Sequence, residues 1–263
     1  MGIPQDDPLH DFLAPTNPAT TRSPCPALNA LANHRYMFVY LVFFIYLTLD
    51  YSSSRPHDGM NISYTDLVDA ICSVYNVSRP LAHLLAIVGY STCGKLSFSI
   101  QSSSAIPIPH VTWFINLASL SQHGGFAIAH NASIVHPNVI PSTHSPDPAL
   151  SEQVLERATS SGGLSLRDLA HIRTERLAKL EQPLSGYHEQ VALGEAGLLW
   201  SVMREGKQER GYDDVIPVER LRHWLCEERL PDNWWSSVRP SHTVGLMEAR
   251  SNANAVHTLM TNA

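Results

Sequence analysis

The sequence predicts a mostly α protein folded as one domain. Apolar residues recur at helical spacing in window after window, and several windows open on a capping residue. No convincing strand pattern follows residue 120, and no internal repeat is visible. The chain has 263 residues, of which 44% are apolar and 16% charged, so it can bury a sizeable core and is not a disordered polymer. A net charge of −6 leaves no basic face for nucleic acid.

Residues 1–24 read as an extended arm with Pro4, Pro8, Pro15, Pro18 and Pro24. A helix is predicted to start at Pro26, whose missing N–H suits the first helical position. From Tyr36 to Leu49 no residue is charged, and Met37 to Leu47 is apolar on every side. That run falls short of the roughly 20 residues a membrane span needs. Ser63-Tyr64-Thr65-Asp66 resembles a capping box, followed by Leu67, Val68, Ile71, Val74 and Tyr75 at helical spacing. A second helix is predicted over Pro80 to Val88, and residues 89–115 read as irregular. Residues 137–148 hold four prolines and read as a loop. Asp147-Pro148 opens a helix through Ala158, Ser161-Gly162-Gly163 breaks it, and Ser165-x-x-Asp168 caps the next. Two more helices are expected, from about Tyr187 to Met203 and from Pro217 to Arg229.

Two places carry chemistry. Cys25 sits between Pro24 and Pro26, so the predicted helix begins at it. The free amides of Ala27 and Leu28 and the helix dipole favour a negative sulfur there, which lowers a thiol pKa. For a cysteine in isolation, a buried residue at a helix start is the preferred reading. The second place is Glu195, which falls among Val191, Leu198, Leu199 and Val202 on the helix from Tyr187. A carboxylate on a buried stripe must be paired or protonated. On spacing alone, pairing with an arginine such as Arg173 or Arg176 is at least as good a reading as a catalytic carboxylate facing a cavity. The other cysteines, Cys72, Cys93 and Cys226, form no Cys-x-x-Cys pair, so a zinc site is not expected, while up to two disulfides are open.

The run Pro24-Cys25-Pro26-Ala27-Leu28-Asn29-Ala30-Leu31-Ala32-Asn33-His34 resembles the proximal haem-binding segment of the fungal haem-thiolate peroxidases, the chloroperoxidase and unspecific-peroxygenase family. Gly194-Glu195-Ala196-Gly197-Leu198-Leu199 resembles that family's distal acid–base segment, and Glu227-Glu228-Arg229-Leu230-Pro231 its closing Glu-Arg-Leu-Pro motif. The resemblance implies a helical haem-thiolate peroxidase-like fold over residues 10–245. It implies haem b as cofactor, with Cys25 as axial iron ligand and Pro24, Pro26, Ala27 and Leu28 around it. Glu195 becomes the acid–base carboxylate, oriented by His130 of Ala129-His130-Asn131-Ala132-Ser133. The partners implied are hydrogen peroxide and a small organic substrate, with oxygen transfer or halide oxidation as sub-cases. Relatives hold Mg²⁺ with carboxylates on either side of that histidine. Ala129 and Asn131 replace both, leaving the neutral oxygens of Asn131 and Ser133, so weak Mg²⁺ binding or none is expected.

Relatives pass from Asn-His straight to a segment like Pro56-His57-Asp58-Gly59. Tyr36 to Ser54 therefore reads as an insertion or a retained intron beside the haem helix, and residues 101–115 as a second inserted piece. Two other readings follow from this: a non-catalytic family member with impaired haem binding, and a membrane-associated protein anchored by residues 37–49. The second is the weaker, because the run lacks a cationic face. Met1 to Leu13 contains no apolar signal core. The family is usually secreted, so the expectation is an intracellular chain or a missing natural start.

Overall fold

The computed structural model describes residues 10–37, 58–101, 108–124, 126–205 and 214–262. The architecture is mostly α, with one small sheet. After a single turn, α1 (Pro18–Thr21), comes α2 (Pro26–Asn33), with Pro26 at its first position and Cys25 as its N-cap. α3 (Tyr64–Tyr75) is capped by Ser63, whose hydroxyl accepts from the Asp66 amide, and ends at Asn76 in the left-handed conformation. α4 runs from Arg79 to Cys93, longer than the pattern predicts.

The irregular reading of 89–115 is corrected. β2 (Lys95–Gln101) pairs antiparallel with β3 (Ile108–Ile115), and β3 also pairs with the two-residue β1 (Ile62–Ser63), in the order β1-β3-β2. Leu96, Phe98 and Ile100 alternate with Ser97, Ser99 and Gln101, which is the period of a strand. The signal is masked because Leu96 and Phe98 lie on the outer face, where the pattern reads as apolar-out.

The later helices open where the capping residues place them. α5 (Pro148–Ser160) has Asp147 accepting from the Leu150 amide. α6 (Leu166–Ala178) carries the full reciprocal box between Ser165 and Asp168. α7 (Gly186–Met203) is capped by Ser185. α8 (Val218–Leu221) passes into a π-helical turn, Arg222–Cys226. A helix the sequence reading left unassigned, α9 (Leu246–Thr261), buries Ala249, Ala253 and Val256 at spacings of four and three.

α9 packs against α7 and α6, and the turn after α8 packs against α2 and α5. Leu31, Val74, Leu169, Met203, Ile216 and Leu221 are buried at the centre. α7 is therefore enclosed on most of its circumference. At Gly197 an added Cβ would meet the Ala249 carbonyl oxygen at 2.6 Å and the Ala253 nitrogen at 2.7 Å, so the two helices touch through backbone.

The apolar run after Tyr36 lies almost wholly outside the described residues. Its first two side chains, Tyr36 and Met37, are buried, and Tyr36 stacks on His10 with ring centroids 4.0 Å apart. Among the described residues no helix is long and apolar enough to cross a membrane.

Candidate active site

Cys25 is held by its neighbours in the chain. Asn29 closes a ring with Ser23, accepting from the Ser23 amide at 2.9 Å and donating to the Ser23 carbonyl at 2.7 Å. The Ser23 hydroxyl accepts from the Cys25 amide at 3.2 Å. The Pro24 carbonyl accepts from His136 Nε2 at 3.1 Å. Pro26, Ala27 and Leu28 are half-buried beside the thiol.

Beneath α2 lies a polar network joining distant parts of the chain. Asn29 Nδ2 donates to Glu228 Oε1 at 2.6 Å, and Asn33 Nδ2 to the Glu228 carbonyl at 2.9 Å. Arg22 donates through Nε to Asn33 Oδ1 at 2.8 Å and is fully buried. Burial pushes the Glu228 carboxyl up to about 7, against the Asn29 hydrogen bond and the Arg22 charge, which pull it down. The sequence shows this segment only as a closing motif and not the network, because its partners lie some 200 residues apart.

The thiol pKa corrects an expectation. Burial raises Cys25 to about 12; the amides of Leu28 and Ala27 lower it, as the helix start requires, but desolvation outweighs them. The Glu195 charge adds to the rise, so the carboxylate is within electrostatic reach of the sulfur. Such a thiol ionises readily only when a positive charge compensates.

Glu195 and His130 are brought into direct contact. His130 Nε2 donates to Glu195 Oε2 at 3.1 Å, and Nδ1 donates to the Asn131 carbonyl at 2.6 Å. With both ring nitrogens facing acceptors, the histidine is set up as an imidazolium. Burial would lower its pKa, but the Glu195 charge and hydrogen bond and the Asn131 carbonyl together hold it above its ordinary value. Burial would likewise raise Glu195, and His130, Arg173 and His136 pull it below the usual carboxylate range.

Arg173 and Arg176 do not pair directly with Glu195. Arg173 Nη1 donates to the Ala132 carbonyl at 2.6 Å, and Arg176 donates to the carbonyls of Ser133 and His136 at 2.7 Å each. Glu195 also departs from the buried stripe assigned to it. Its side chain is 51% exposed, so it faces open space. Val191 and Leu198, one turn to either side, are likewise half-exposed, while Ala192, Leu193, Ala196 and Leu199 are buried.

Several polar atoms around this space have no partner. Arg173, 1% exposed, leaves Nε and Nη2 unbonded, and Asn131 Oδ1 and His136 Nδ1 are likewise orphaned. Burial lowers His136 to about 4, so it is neutral. Among the described residues no group of three or more His, Cys, Asp or Glu side chains could hold a metal ion. Ser133 contributes its carbonyl to Arg176. All four cysteines are free. A groove of about 550 Å³ opens between α5 and α6, lined by Leu150, Val154 and Arg157; neither Cys25 nor Glu195 is part of it.

A curated chloroperoxidase from Leptoxyphium fumago is 21% identical to this chain, over 96% of it, and the chain spans 64% of that relative's length. The family model described as "Peroxidase, family 2" matches residues 10–38 and 55–239. That match breaks between 38 and 55. It takes in Cys25, His130 and Glu195, and covers enough of the chain to place this protein in peroxidase family 2.

Proposed function

We propose that this protein is a haem-thiolate peroxidase that uses hydrogen peroxide to oxidise small organic substrates, with oxygen transfer and halide oxidation as variants of the same chemistry. The observation that carries the reading is the His130–Glu195 contact at 3.1 Å, facing a space within electrostatic reach of Cys25.

The residues fit a haem. Cys25 is a soft donor whose thiol is stabilised as thiolate only beside a cation, and Ala27 and Leu28 offer half-buried apolar contact. Arg173 is a buried cation with two orphaned nitrogens beside the Ala132 carbonyl. It suits a cofactor carboxylate and supplies a positive charge in the segment where Ala129 and Asn131 replace the Mg²⁺ ligands of relatives. Haem anchoring thus rests on Cys25, Arg173 and apolar packing rather than on a divalent ion. When bound, the haem supplies the redox chemistry, and a thiolate ligand favours cleavage of the peroxide O–O bond.

The protein's own part is proton handling. Glu195 is ionised at rest, so it begins as a base. Oε2 is engaged by His130, which leaves Oε1 to take a proton from one peroxide oxygen and return it to the other. His130 keeps the carboxylate aimed, and its own orientation is fixed by the Asn131 carbonyl.

The test is the absorption spectrum of the haem-loaded chain, reduced and exposed to carbon monoxide. A red-shifted Soret band lost in Cys25→Ala is expected. Glu195→Gln should keep that band and lose peroxide turnover by about 10²- to 10⁴-fold. An unchanged rate in Glu195→Gln would remove the acid–base role, and a normal Soret band would remove the thiolate ligand.

A further inference from the structure

We infer that His136 is a positioning residue that ties the loop carrying His130 to the peptide carrying Cys25, so that one short loop sets the spacing between the acid–base group and the sulfur. The inference rests on the reading of Cys25 as the iron ligand and extends it to a residue that neither spacing nor resemblance assigns.

The Cys25 side chain makes no capping hydrogen bond. The direction of its Cα–Cβ bond is therefore set by the two peptide planes that meet at its Cα. Both planes are held. On the N-terminal side, the Pro24 carbonyl accepts from His136 Nε2 at 3.1 Å, and the Cys25 amide donates to the Ser23 hydroxyl at 3.2 Å. Those two groups point in opposite directions from one planar unit, so the plane is gripped at both edges. On the C-terminal side, the Cys25 carbonyl accepts from the Asn29 amide at 3.1 Å. The Ser23 and Asn29 contacts are local, whereas His136 lies 112 residues from Pro24.

His136 belongs to the segment 130–138, which α6 holds from behind. Arg173 donates to the Ala132 carbonyl at 2.6 Å, and Arg176 donates to the carbonyls of Ser133 and His136 at 2.7 Å each. Arg176 also donates to Asn138 Oδ1 at 3.0 Å, and the same oxygen accepts from the Ala132 amide at 2.8 Å. At one end of this braced segment His130 donates to Glu195, and near the other His136 donates to Pro24. A second tie, from His144 Nδ1 to the Arg22 carbonyl at 2.8 Å, keeps the same stretch of arm against the chain that follows.

The imidazole is there as a donor rather than as filling. A carbonyl only accepts, so the Pro24 contact puts the proton on Nε2. Nδ1 is then a bare lone pair, buried without a partner in a side chain that is 1% exposed. Leaving such an acceptor unpaired costs stability, and an apolar side chain of similar size would avoid that cost. What imidazole adds is the N–H on Pro24. Hydrogen bonds of this kind, one step outside a ligand, fix where the ligand points.

Long-range proton–nitrogen NMR spectra of the full-length chain should place the His136 proton on Nε2; a proton on Nδ1 would overturn the proposal before any variant is made. His136→Leu removes the donor, while His136→Gln keeps an N–H. In the chain prepared without haem, the Cys25 amide hydrogen should exchange about tenfold faster in His136→Leu, the worth of one hydrogen bond, and at the parent rate in His136→Gln. In the haem-loaded chain, His136→Leu should move part of the carbon monoxide Soret band to the normal position. Its peroxide turnover should slow by about 10- to 10²-fold, the effect of a displacement near 1 Å, and His136→Gln should restore both. Val154→Ala, which loses packing in the core at α5, is the structural comparison at an equal fall in melting temperature. If Val154→Ala reproduces these changes, if His136→Gln fails to restore them, or if His136→Leu leaves the exchange rate and the band as in the parent, His136 only packs and the proposal is overturned. Failure of the parent chain to bind haem would instead strike the haem-thiolate reading, and the His136 tautomer and the Cys25 exchange rate would still decide the role of His136.

Discussion

His130 and Glu195, 65 residues apart in sequence, form an ion pair in which the histidine is buried and the carboxylate faces open space. The pH dependence of this pair follows from the two shifts. His130 is raised above its ordinary 6.5, so its contribution to stability is complete below that pH and fades as pH climbs through the folded value. Glu195 is lowered beneath its ordinary 4.5, so its contribution is complete above that pH and fades as pH drops through the folded value. The pair is whole between pH 4.5 and 6.5. Thermal melts from about pH 3 to 9 should show His130→Gln below the parent chain by most inside that window, with the gap closing on either side.

Arg173 bears on the cofactor. If its orphaned nitrogens take a haem carboxylate, Arg173→Gln should weaken haem retention by about tenfold, the worth of one hydrogen bond to a charged group. Transfer of haem to excess apomyoglobin measures this. A chelator should leave the parent chain's retention unchanged, and haem with esterified carboxylates should bind parent and variant alike. Equal retention of ordinary haem by the two would assign Arg173 to the Ala132 loop alone.

Glu228 should reveal itself through an opposite pH trend. Its folded pKa of about 7 stands above the ordinary 4.5, so the folded state binds the extra proton and stability falls as pH rises between those values. Above them the ionised, 5% exposed carboxylate costs about 3 kcal/mol. Glu228→Gln keeps an oxygen for Asn29 and removes the charge. It should melt higher than the parent at about pH 8 and lose that advantage near pH 5. An advantage independent of pH would place the effect elsewhere.

Two glycines one turn apart on α7 should respond in opposite senses. Gly197→Ala drives a Cβ into the α9 backbone and should destabilise by about 1–3 kcal/mol. Gly194 has nothing within 4 Å of that position, and Gly194→Ala should stabilise by about 0.5–1 kcal/mol through backbone entropy. Urea denaturation of the two variants measures both.

Much of this was legible in the sequence where the signal is local. Ser165 with Asp168, Asp147 with Pro148, and Pro26 after Cys25 mark helix starts because a cap needs only its own next few residues. Cys25, His130 and Glu195 were singled out through short runs that resemble a family, and the structure brings His130 onto Glu195. What was missed depends on contacts far along the chain. Glu195 was placed on a buried stripe because α7 is apolar nearly all round, and only the position of α9 decides which face is left open. The β2–β3 hairpin was hidden by its apolar outer face. The Cys25 pKa went astray because proximity to a helix start can be read locally, whereas depth of burial cannot.

The ties between α2 and residues 228–230 also govern when this site comes into being. An eight-residue helix has little stability of its own. Asn29, Asn33 and His34 anchor it to Glu228 and Leu230, partners separated from them by 195 to 199 positions. During synthesis the cysteine emerges some 200 residues before the groups that lock its helix. Loop closure over such a distance is among the slow steps of folding. The thiol therefore waits through that stretch of synthesis without its final surroundings, and the site assembles only once residues 228–230 have emerged.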